Sequence, residues 1–427
     1  MISSQYKKNT LAKFINFYKF FALLDYEFLM MLFTIMVVPH FFFVSLRLSS
    51  LALGLMGCAF FLLLYDYRVV TAYRFEGIER FILGLVICIL VGYGCLGFLS
   101  SGGYKPLFSS IIIVCIIMPF SVYTRFVSVD FKGIYTVFIV LTMLIGVLGW
   151  YSVFFSVEML NYELLNKNVF PFSEPSHYAL SLGLLSVSLV PVSCNLICIF
   201  LILNCFILSL VFPSLVLLVF SFMGALLYTI RFKISFFIYS IILCIIAFFF
   251  VFLKNEYFIS RVDFFSLNHL SALVWLQGWE LACVNFVETY GVGLGLNSLG
   301  LPGTVFSTIT ERINELYGFN SNIYDGGFLA SKIIAEFGLI GLFVILAYMY
   351  WVCAFVLRIK KIYKEMRCLD IVGAPKLSIV KKEILFSTVL LGFSVELFLR
   401  GYGYFSPGLV LAVASLWYLS CSRKALL

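Results

Sequence analysis

Residues 177–230 read HYALSLGLLSVSLVPVSCNLICIFLILNCFILSLVFPSLVLLVFSFMGALLYTI, an almost unbroken apolar run. A helix needs about 20 apolar residues to cross the hydrocarbon core of a bilayer, so this run predicts three successive membrane spans. Pro191 and Pro213 divide the run, because proline interrupts or ends a helix. The three predicted spans are 177–194, 195–212 and 213–230.

The rest of the chain follows the same pattern. Of its 427 residues, 63% are hydrophobic and only 12% are charged, and the mean hydropathy is +1.08. This composition is typical of a polytopic membrane protein, and we expect an all-α transmembrane helical bundle of about 12 spans. The other nine predicted spans are 28–46, 48–65, 80–99, 107–128, 131–155, 234–253, 328–356, 384–400 and 404–421.

The spans divide the chain into three parts. Residues 1–253 hold nine spans with short loops, and residues 328–427 hold the last three. Between them, residues 254–327 are charged, aromatic and Gly-rich, which predicts a large loop outside the membrane. Because Lys and Arg accumulate in cytoplasmic loops, residues 358–383 are predicted to form a basic cytoplasmic loop, and both termini are predicted to be cytoplasmic.

The net charge of +8 largely reflects this topology and is weak evidence for nucleic-acid binding, since no soluble basic domain is present. Most of the twelve cysteines fall inside predicted spans, so no disulfide framework is expected. The spacing of the three histidines (His40, His177 and His269) fits no metal-ligand pattern, and we expect metal-independent chemistry without a cofactor. The first apolar run is interpreted as a retained span, not a signal peptide.

Residues 268–289 of the outer loop are predicted to form an amphipathic helix. Two tryptophans, Trp275 and Trp279, widen its apolar side, whereas Gln277 and Glu280 lie towards the opposite side. Such a helix is expected to lie in the outer lipid interface. The residues at helical spacing are Leu270, Leu273, Val274, Leu281 and Val284.

Four basic residues on the outer side depart from the cytoplasmic bias and are candidates for binding an anion. Guanidinium groups suit phosphate because their donors form a fixed fork. Each candidate has a structural alternative. Arg400 has Glu396 four residues before it, Arg261 and Arg312 are single arginines that solvent would accommodate, and Lys332 is four residues from Glu336.

Three further residues are candidate acid or base groups at the outer rim: Glu174, His177 and Asp325. A carboxylate near lipid has its pKa raised by desolvation, which suits proton transfer. The alternative for His177 is a locally bonded residue at the start of a helix. The sequence GVGLGLNSLG at 291–300 is not a dinucleotide fingerprint, because it does not follow a strand; it is either a plain turn or a turn that brings amides near a phosphate.

At four places the chain resembles the O-antigen polymerases of Gram-negative polysaccharide assembly, whose superfamily also contains the O-antigen ligases. Ligases typically have a His-Asn step before the helix that resembles 328–341, and this chain has Asp325-Gly326 there. That departure weakens the ligase alternative and leaves the identity of the base open. The four stretches that carry the resemblance are 172–180, Arg261 with 270–280, 325–341 and 399–405.

The resemblance implies a membrane glycosyltransferase of the GT-C type at the periplasmic face of the bacterial inner membrane. Its donor and acceptor would both be undecaprenyl-pyrophosphate-linked oligosaccharides, with membrane lipids and a chain-length regulator protein as further partners. Arg261, Arg400, Arg312 and Lys332 would bind pyrophosphate, and Glu174, Asp325 or His177 would be catalytic. An O-antigen ligase and a lipid-linked oligosaccharide flippase or other transporter are the alternatives.

Overall fold

The computed structural model describes residues 23–65, 77–108, 112–155, 161–162, 169–230, 256–263, 268–319, 322–372 and 376–422. Within these ranges the regular secondary structure is helical, and β-type pairing is limited to two isolated bridges. The predicted all-α class is therefore confirmed.

The first ten helices precede the large predicted loop, and a short 3-10 turn (Val190–Val192) extends the eighth. In chain order they are α1 (Tyr26–Met36), α2 (Val38–Ser45), α3 (Leu51–Tyr65), α4 (Gly77–Ser101), α5 (Lys105–Phe108), α6 (Ile112–Ser128), α7 (Phe131–Phe154), α8 (Pro175–Leu189), α9 (Asn195–Val211) and α10 (Leu215–Thr229).

Six more helices follow, with a 3-10 turn at Ile323–Asp325. They are α11 (Glu256–Val262), α12 (Leu270–Glu288), α13 (Thr308–Tyr317), α14 (Leu329–Val372), α15 (Lys376–Phe398) and α16 (Pro407–Ser422). The interval 254–327 was predicted as a loop, and its described part contains three of these helices.

Eleven of the twelve predicted spans overlap one of these helices, and the remaining one, 234–253, lies outside the described residues. Among the described helices, α4, α7, α8, α12 and α14 are long and apolar enough to cross a membrane. That makes 5 helices, or 6 if α1 and α2, which meet at a bend of 43°, are one span. The chain is thus a helical membrane protein.

The helix α8 lies at the centre of the bundle, and all its side chains from Tyr178 to Leu189 are buried. Small residues let its neighbours approach closely: a Cβ atom at Gly183 would lie 2.1 Å from the ring of Phe220 in α10. The helix begins at Pro175, and the preceding residue Glu174 is extended (φ -143°, ψ 151°), as expected before proline. The start of the central helix therefore places Glu174 and His177 at one end of the bundle.

The structure differs from the sequence prediction at the basic segment 358–383. The helix α14 continues to Val372 and α15 begins at Lys376, so the described part of this segment is helical. Lys and Arg are good helix formers, and their charge marks a side of the membrane without ending a helix. Lys382 is buried, and its Nζ donates to the carbonyls of Phe126 (2.9 Å) and Val129 (2.6 Å).

The helix α14 is broken at Gly338, whose φ of 55° and ψ of -128° are not helical. The Gly-rich segment 291–300 packs into this break. Two backbone hydrogen bonds join the segment to α14. Leu339 N of α14 donates to Gly291 O (2.8 Å), and Gly295 N donates to Glu336 O of α14 (2.9 Å). A Cβ atom at Gly338 would lie 2.0 Å from Gly291 O, so glycine is required by both conformation and space.

The helix α12 matches the predicted helix at 268–289 almost residue for residue, but its surroundings differ from the prediction. Trp275 Nε1 donates to the carbonyl of Phe398 (2.9 Å), and Trp275 and Trp279 both pack on Phe328. The side predicted to be polar is also covered: Gln277 is buried and donates to Thr310 of α13 (2.9 Å). The loop therefore folds back on the bundle, and protein covers part of both tryptophans, which are half-buried.

Candidate functional site

The connection between α15 and α16, residues 399–406, runs across the end of the bundle where α8 begins. Its Arg400 lies beside Glu174, with 3.3 Å between Arg400 Nη2 and Glu174 Oε2. The same carboxylate oxygen accepts from the Ser176 hydroxyl at 2.9 Å. Arg400 therefore pairs with a residue that is far away in sequence. It does not form the alternative pair with Glu396, because the Glu396 side chain is buried near the start of α16.

His177 lies one turn into α8, against the same connection. Its Nδ1 is 2.9 Å from the Ser173 hydroxyl, and its Nε2 is 3.9 Å from Glu174 Oε2. The imidazole ring also contacts the Tyr402 ring, with 4.3 Å between centroids. The side chain of Glu174 is 51% exposed and open to the surface, whereas that of His177 is 17% exposed and mostly buried.

The short helix α11 brings Arg261 to the same region through Tyr257. The Arg261 guanidinium lies over the Tyr257 ring, 4.4 Å from its centroid. Burial raises the pKa of Tyr257, and the positive charges of Arg261 and Arg400 both oppose that rise. The Tyr257 phenol is thus within electrostatic reach of both guanidiniums.

A second polar cluster lies at the start of α14. Lys332 is almost fully buried, and its Nζ donates to Tyr324 O (2.5 Å) and Asn297 Oδ1 (3.0 Å). The same Nζ lies 3.8 Å from Asp325 Oδ1 and 3.8 Å from Glu336 Oε1. Lys332 is thus neutralised within the protein, as its structural alternative predicts.

Glu336 is completely buried and has three donors. They are Asn297 N (2.7 Å) and Leu299 N (3.1 Å) of the Gly-rich segment, and the Tyr404 hydroxyl (2.7 Å). Amides of the Gly-rich segment therefore bind a carboxylate of the protein itself. Of the two alternatives for that segment, the contacts favour the plain turn, because these amides already bind Glu336.

The 399–406 connection separates the two clusters and touches both. On one side Tyr402 contacts His177, and on the other Tyr404 contacts Glu336. Gly403 sits between them with φ 71°, and a Cβ atom there would lie 3.2 Å from Asp325 Oδ1. Asp325 is 54% exposed, so a carboxylate is accessible on each side of this connection.

Arg312 is the candidate that the described contacts do not link to the others. It lies on α13, is 44% exposed, and pairs with Glu315 on its own helix (3.2 Å). The contacts described for it include none of the other candidates, in agreement with its solvent-exposed alternative.

Three residues near the site were not singled out from the sequence. Lys105 lies over the Tyr324 ring at 4.4 Å, and its pKa is lowered by burial and then by Lys332. Its position among the few outer basic residues was the available signal. Tyr257 and Tyr404 gave none, because the chain has 25 tyrosines.

No group of three or more His, Cys, Asp or Glu side chains in the described part of the chain is arranged to hold a metal ion. The end of the bundle instead presents two guanidiniums, an exposed carboxylate and an imidazole. The chain has no significant match among protein-family models, curated proteins or solved structures, so these residues are the basis for assigning a function. Together they suit an anionic ligand next to a proton acceptor.

Proposed function

We propose that this protein is a membrane glycosyltransferase of the O-antigen polymerase kind. It would join undecaprenyl-pyrophosphate-linked repeat units at the periplasmic face of the bacterial inner membrane. The proposal includes a bundle of about 12 spans of the GT-C type, with residues 234–253 as the ninth span and both termini in the cytoplasm.

The single observation that supports this proposal most is the contact of Arg400 with Glu174, 3.3 Å apart, at the end of the bundle where α8 begins. Arg261 lies on α11, over the ring of Tyr257. Two guanidiniums at one end of a membrane bundle match a diphosphate, which carries several oxygens at fixed spacing. Away from bulk water the two positive charges would repel each other, so a doubly charged anion bound between them stabilises the site. Arg400 also keeps Glu174 within 3.3 Å, which joins the anion site to a carboxylate.

The reaction follows from these two parts. The acceptor sugar hydroxyl attacks the anomeric carbon of the donor, and the bond from that carbon to the pyrophosphate oxygen breaks. Undecaprenyl pyrophosphate leaves with the bonding electron pair, and Arg261 and Arg400 stabilise the charge that develops on it. Glu174 takes the proton of the attacking hydroxyl and returns it to water, to which its carboxylate is exposed.

Asp325 and His177 have different parts in this proposal. Asp325 lies on the other side of the 399–406 connection beside Lys332, and it is the alternative base. His177 lies 3.9 Å from the Glu174 carboxylate and orients it. Lys332 holds Asp325 in place, whereas Arg312 has no role in the chemistry.

The first test replaces the arginines one at a time. Arg261→Ala and Arg400→Ala should each abolish long polysaccharide in a deletion strain while the protein still inserts normally, because the leaving diphosphate loses a preorganised cation. Loss of one such donor costs about 100-fold or more in rate. Lysine should rescue poorly, because it offers no bidentate fork. Polymer length is read on gels of extracted lipopolysaccharide.

The matched control is Arg358→Ala, which removes an exposed arginine from α14. It should leave polymer length unchanged. Normal polymer in both Arg261→Ala and Arg400→Ala would remove the diphosphate site.

The deletion strain also separates the enzyme from its alternatives. Loss of a polymerase leaves a single repeat unit on the lipopolysaccharide core. Loss of a ligase leaves polymer that is not attached to the core, and loss of a flippase leaves neither form on the core. Either of the last two results would contradict the proposed reaction.

A further inference from the structure

A cluster of buried polar groups lies behind the Glu174–Arg400 pair. Its centre is His40, near the start of α2, just after the 43° bend that separates this helix from α1. The His40 ring lies against the rings of His177 and Tyr402, with centroid distances of 5.4 Å and 5.6 Å. Phe172 closes a further side at 4.7 Å.

Several polar atoms of this cluster have unused hydrogen-bonding capacity. His40 is fully buried, yet neither of its ring nitrogens has a hydrogen-bond partner among the described residues. The Tyr402 hydroxyl is likewise buried and has no hydrogen-bond partner among the described residues. Buried polar groups in proteins nearly always have hydrogen-bond partners, because leaving one without a partner is unfavourable.

The chemistry of these atoms identifies the group that suits them. A neutral imidazole offers one donor and one acceptor, and a phenol offers both on one oxygen. A sugar hydroxyl is likewise donor and acceptor at once, so it complements them, whereas a phosphate has only acceptors. The rings are too close together to admit a whole sugar ring, so the group that complements them is a single hydroxyl.

We propose that His40, His177 and Tyr402 bind one sugar hydroxyl of the acceptor and so form the acceptor side of the site. This inference rests on the proposed function, and it divides the site into a donor side and an acceptor side. The donor diphosphate lies on Arg261 and Arg400, and the acceptor hydroxyl lies on the histidines, next to the Glu174 carboxylate that takes its proton. His177, which is partly exposed, forms the entrance, and His40 forms the inner wall.

Two probes separate the halves of the site. The first is undecaprenyl pyrophosphate without sugar, and the second is the lipid-linked oligosaccharide extracted from a strain that lacks this protein. His40→Phe and Tyr402→Phe should weaken binding of the second probe about tenfold, because each removes hydrogen bonds while keeping an aromatic ring. Both variants should bind the first probe as the wild type does, whereas Arg400→Ala should weaken binding of both probes.

The wild-type protein offers a measurement that needs no variant. The chain has three histidines, so labelling with ¹⁵N-histidine gives three imidazole signals, and His269, exposed before α12, is the internal control. The lipid-linked oligosaccharide should shift the signals of His40 and His177 and leave that of His269 unchanged. Undecaprenyl pyrophosphate alone should not shift the His40 signal.

The outcomes are distinguishable. If the oligosaccharide binds the wild type but shifts neither His40 nor His177, or binds His40→Phe and Tyr402→Phe with unchanged affinity, the acceptor site is refuted and the diphosphate site stands. If neither probe binds the wild type, or Arg400→Ala binds both normally, the proposed function itself fails.

Discussion

Lys332 and Glu336, one turn apart in α14, illustrate how a buried charge is stabilised inside this bundle. The Glu336 carboxylate accepts from two backbone amides and the Tyr404 hydroxyl. The Lys332 ammonium donates to the Tyr324 carbonyl and to the side-chain oxygen of Asn297. Taking either charge out of water is costly, and these hydrogen bonds offset the cost. The pair therefore fixes the Gly-rich segment against α14.

Lys332→Met should destabilise the protein by about 3 kcal/mol or more, because it leaves the Glu336 charge buried without its counter-charge. The double variant Lys332→Met, Glu336→Gln should be more stable than Lys332→Met alone, since a neutral amide replaces the unpaired carboxylate. Thermal unfolding of the purified protein in detergent measures both. A Lys332→Met protein of unchanged stability that has lost elongation would instead support the direct pyrophosphate contact predicted from the sequence.

The sequence identified Arg261 and Arg400 because they depart from the charge distribution of a membrane protein. It also identified Glu174, from the composition of its surroundings. It did not reveal that Arg400 and Glu174 meet, because they are 226 positions apart and only the packing of α15 on α8 joins them. His40 gave no signal, since a single histidine in an apolar run is compatible with burial alone.

Among the elements, the broken helix α14 depends most on a single residue. Its break at Gly338 exposes backbone groups that the Gly-rich segment satisfies, and that segment in turn donates to Glu336. The sequence predicted a turn at 291–300 and a continuous span at 328–356. It did not predict that the turn packs into the span, because an isolated glycine is common in membrane helices.

Gly338→Ala should destabilise the protein by about 3 kcal/mol or more, because alanine is strained at this φ and ψ and its Cβ meets the Gly291 carbonyl. The control is Gly92→Ala in α4, where a Cβ has no neighbour within 4 Å. That change should be neutral or stabilising by about 0.5–1 kcal/mol. Thermal unfolding and chymotrypsin cleavage of the 291–300 segment, which contains three leucines and no Lys or Arg, report the difference, and equal behaviour of the two variants would contradict the role of the break.

At the scale of the whole molecule, hydropathy was enough to predict the helices but not the number that cross the membrane. Four shorter apolar helices, among them α9, α10 and α16, fall below the length that a straight span requires. The bend between α1 and α2 divides another predicted span. Conversely, α14 continues from its break at Gly338 to Val372, and at 1.5 Å per residue this part alone is about 50 Å long, against about 30 Å for the hydrocarbon core.

This excess length fixes the expected topology of the second half of the chain. If the start of α14 lies at the outer surface with the 399–406 connection, its far end projects into the cytoplasm. Glu315 on α13 and Lys364 on α14 are both exposed, and this expected topology places them on opposite sides of the span. In a cysteine-free background, Glu315→Cys should react with a membrane-impermeant maleimide in spheroplasts, and Lys364→Cys should react only after the membrane is opened. Labelling of both positions in intact spheroplasts would mean that α14 does not cross the membrane, and the diphosphate site would then lose its periplasmic orientation.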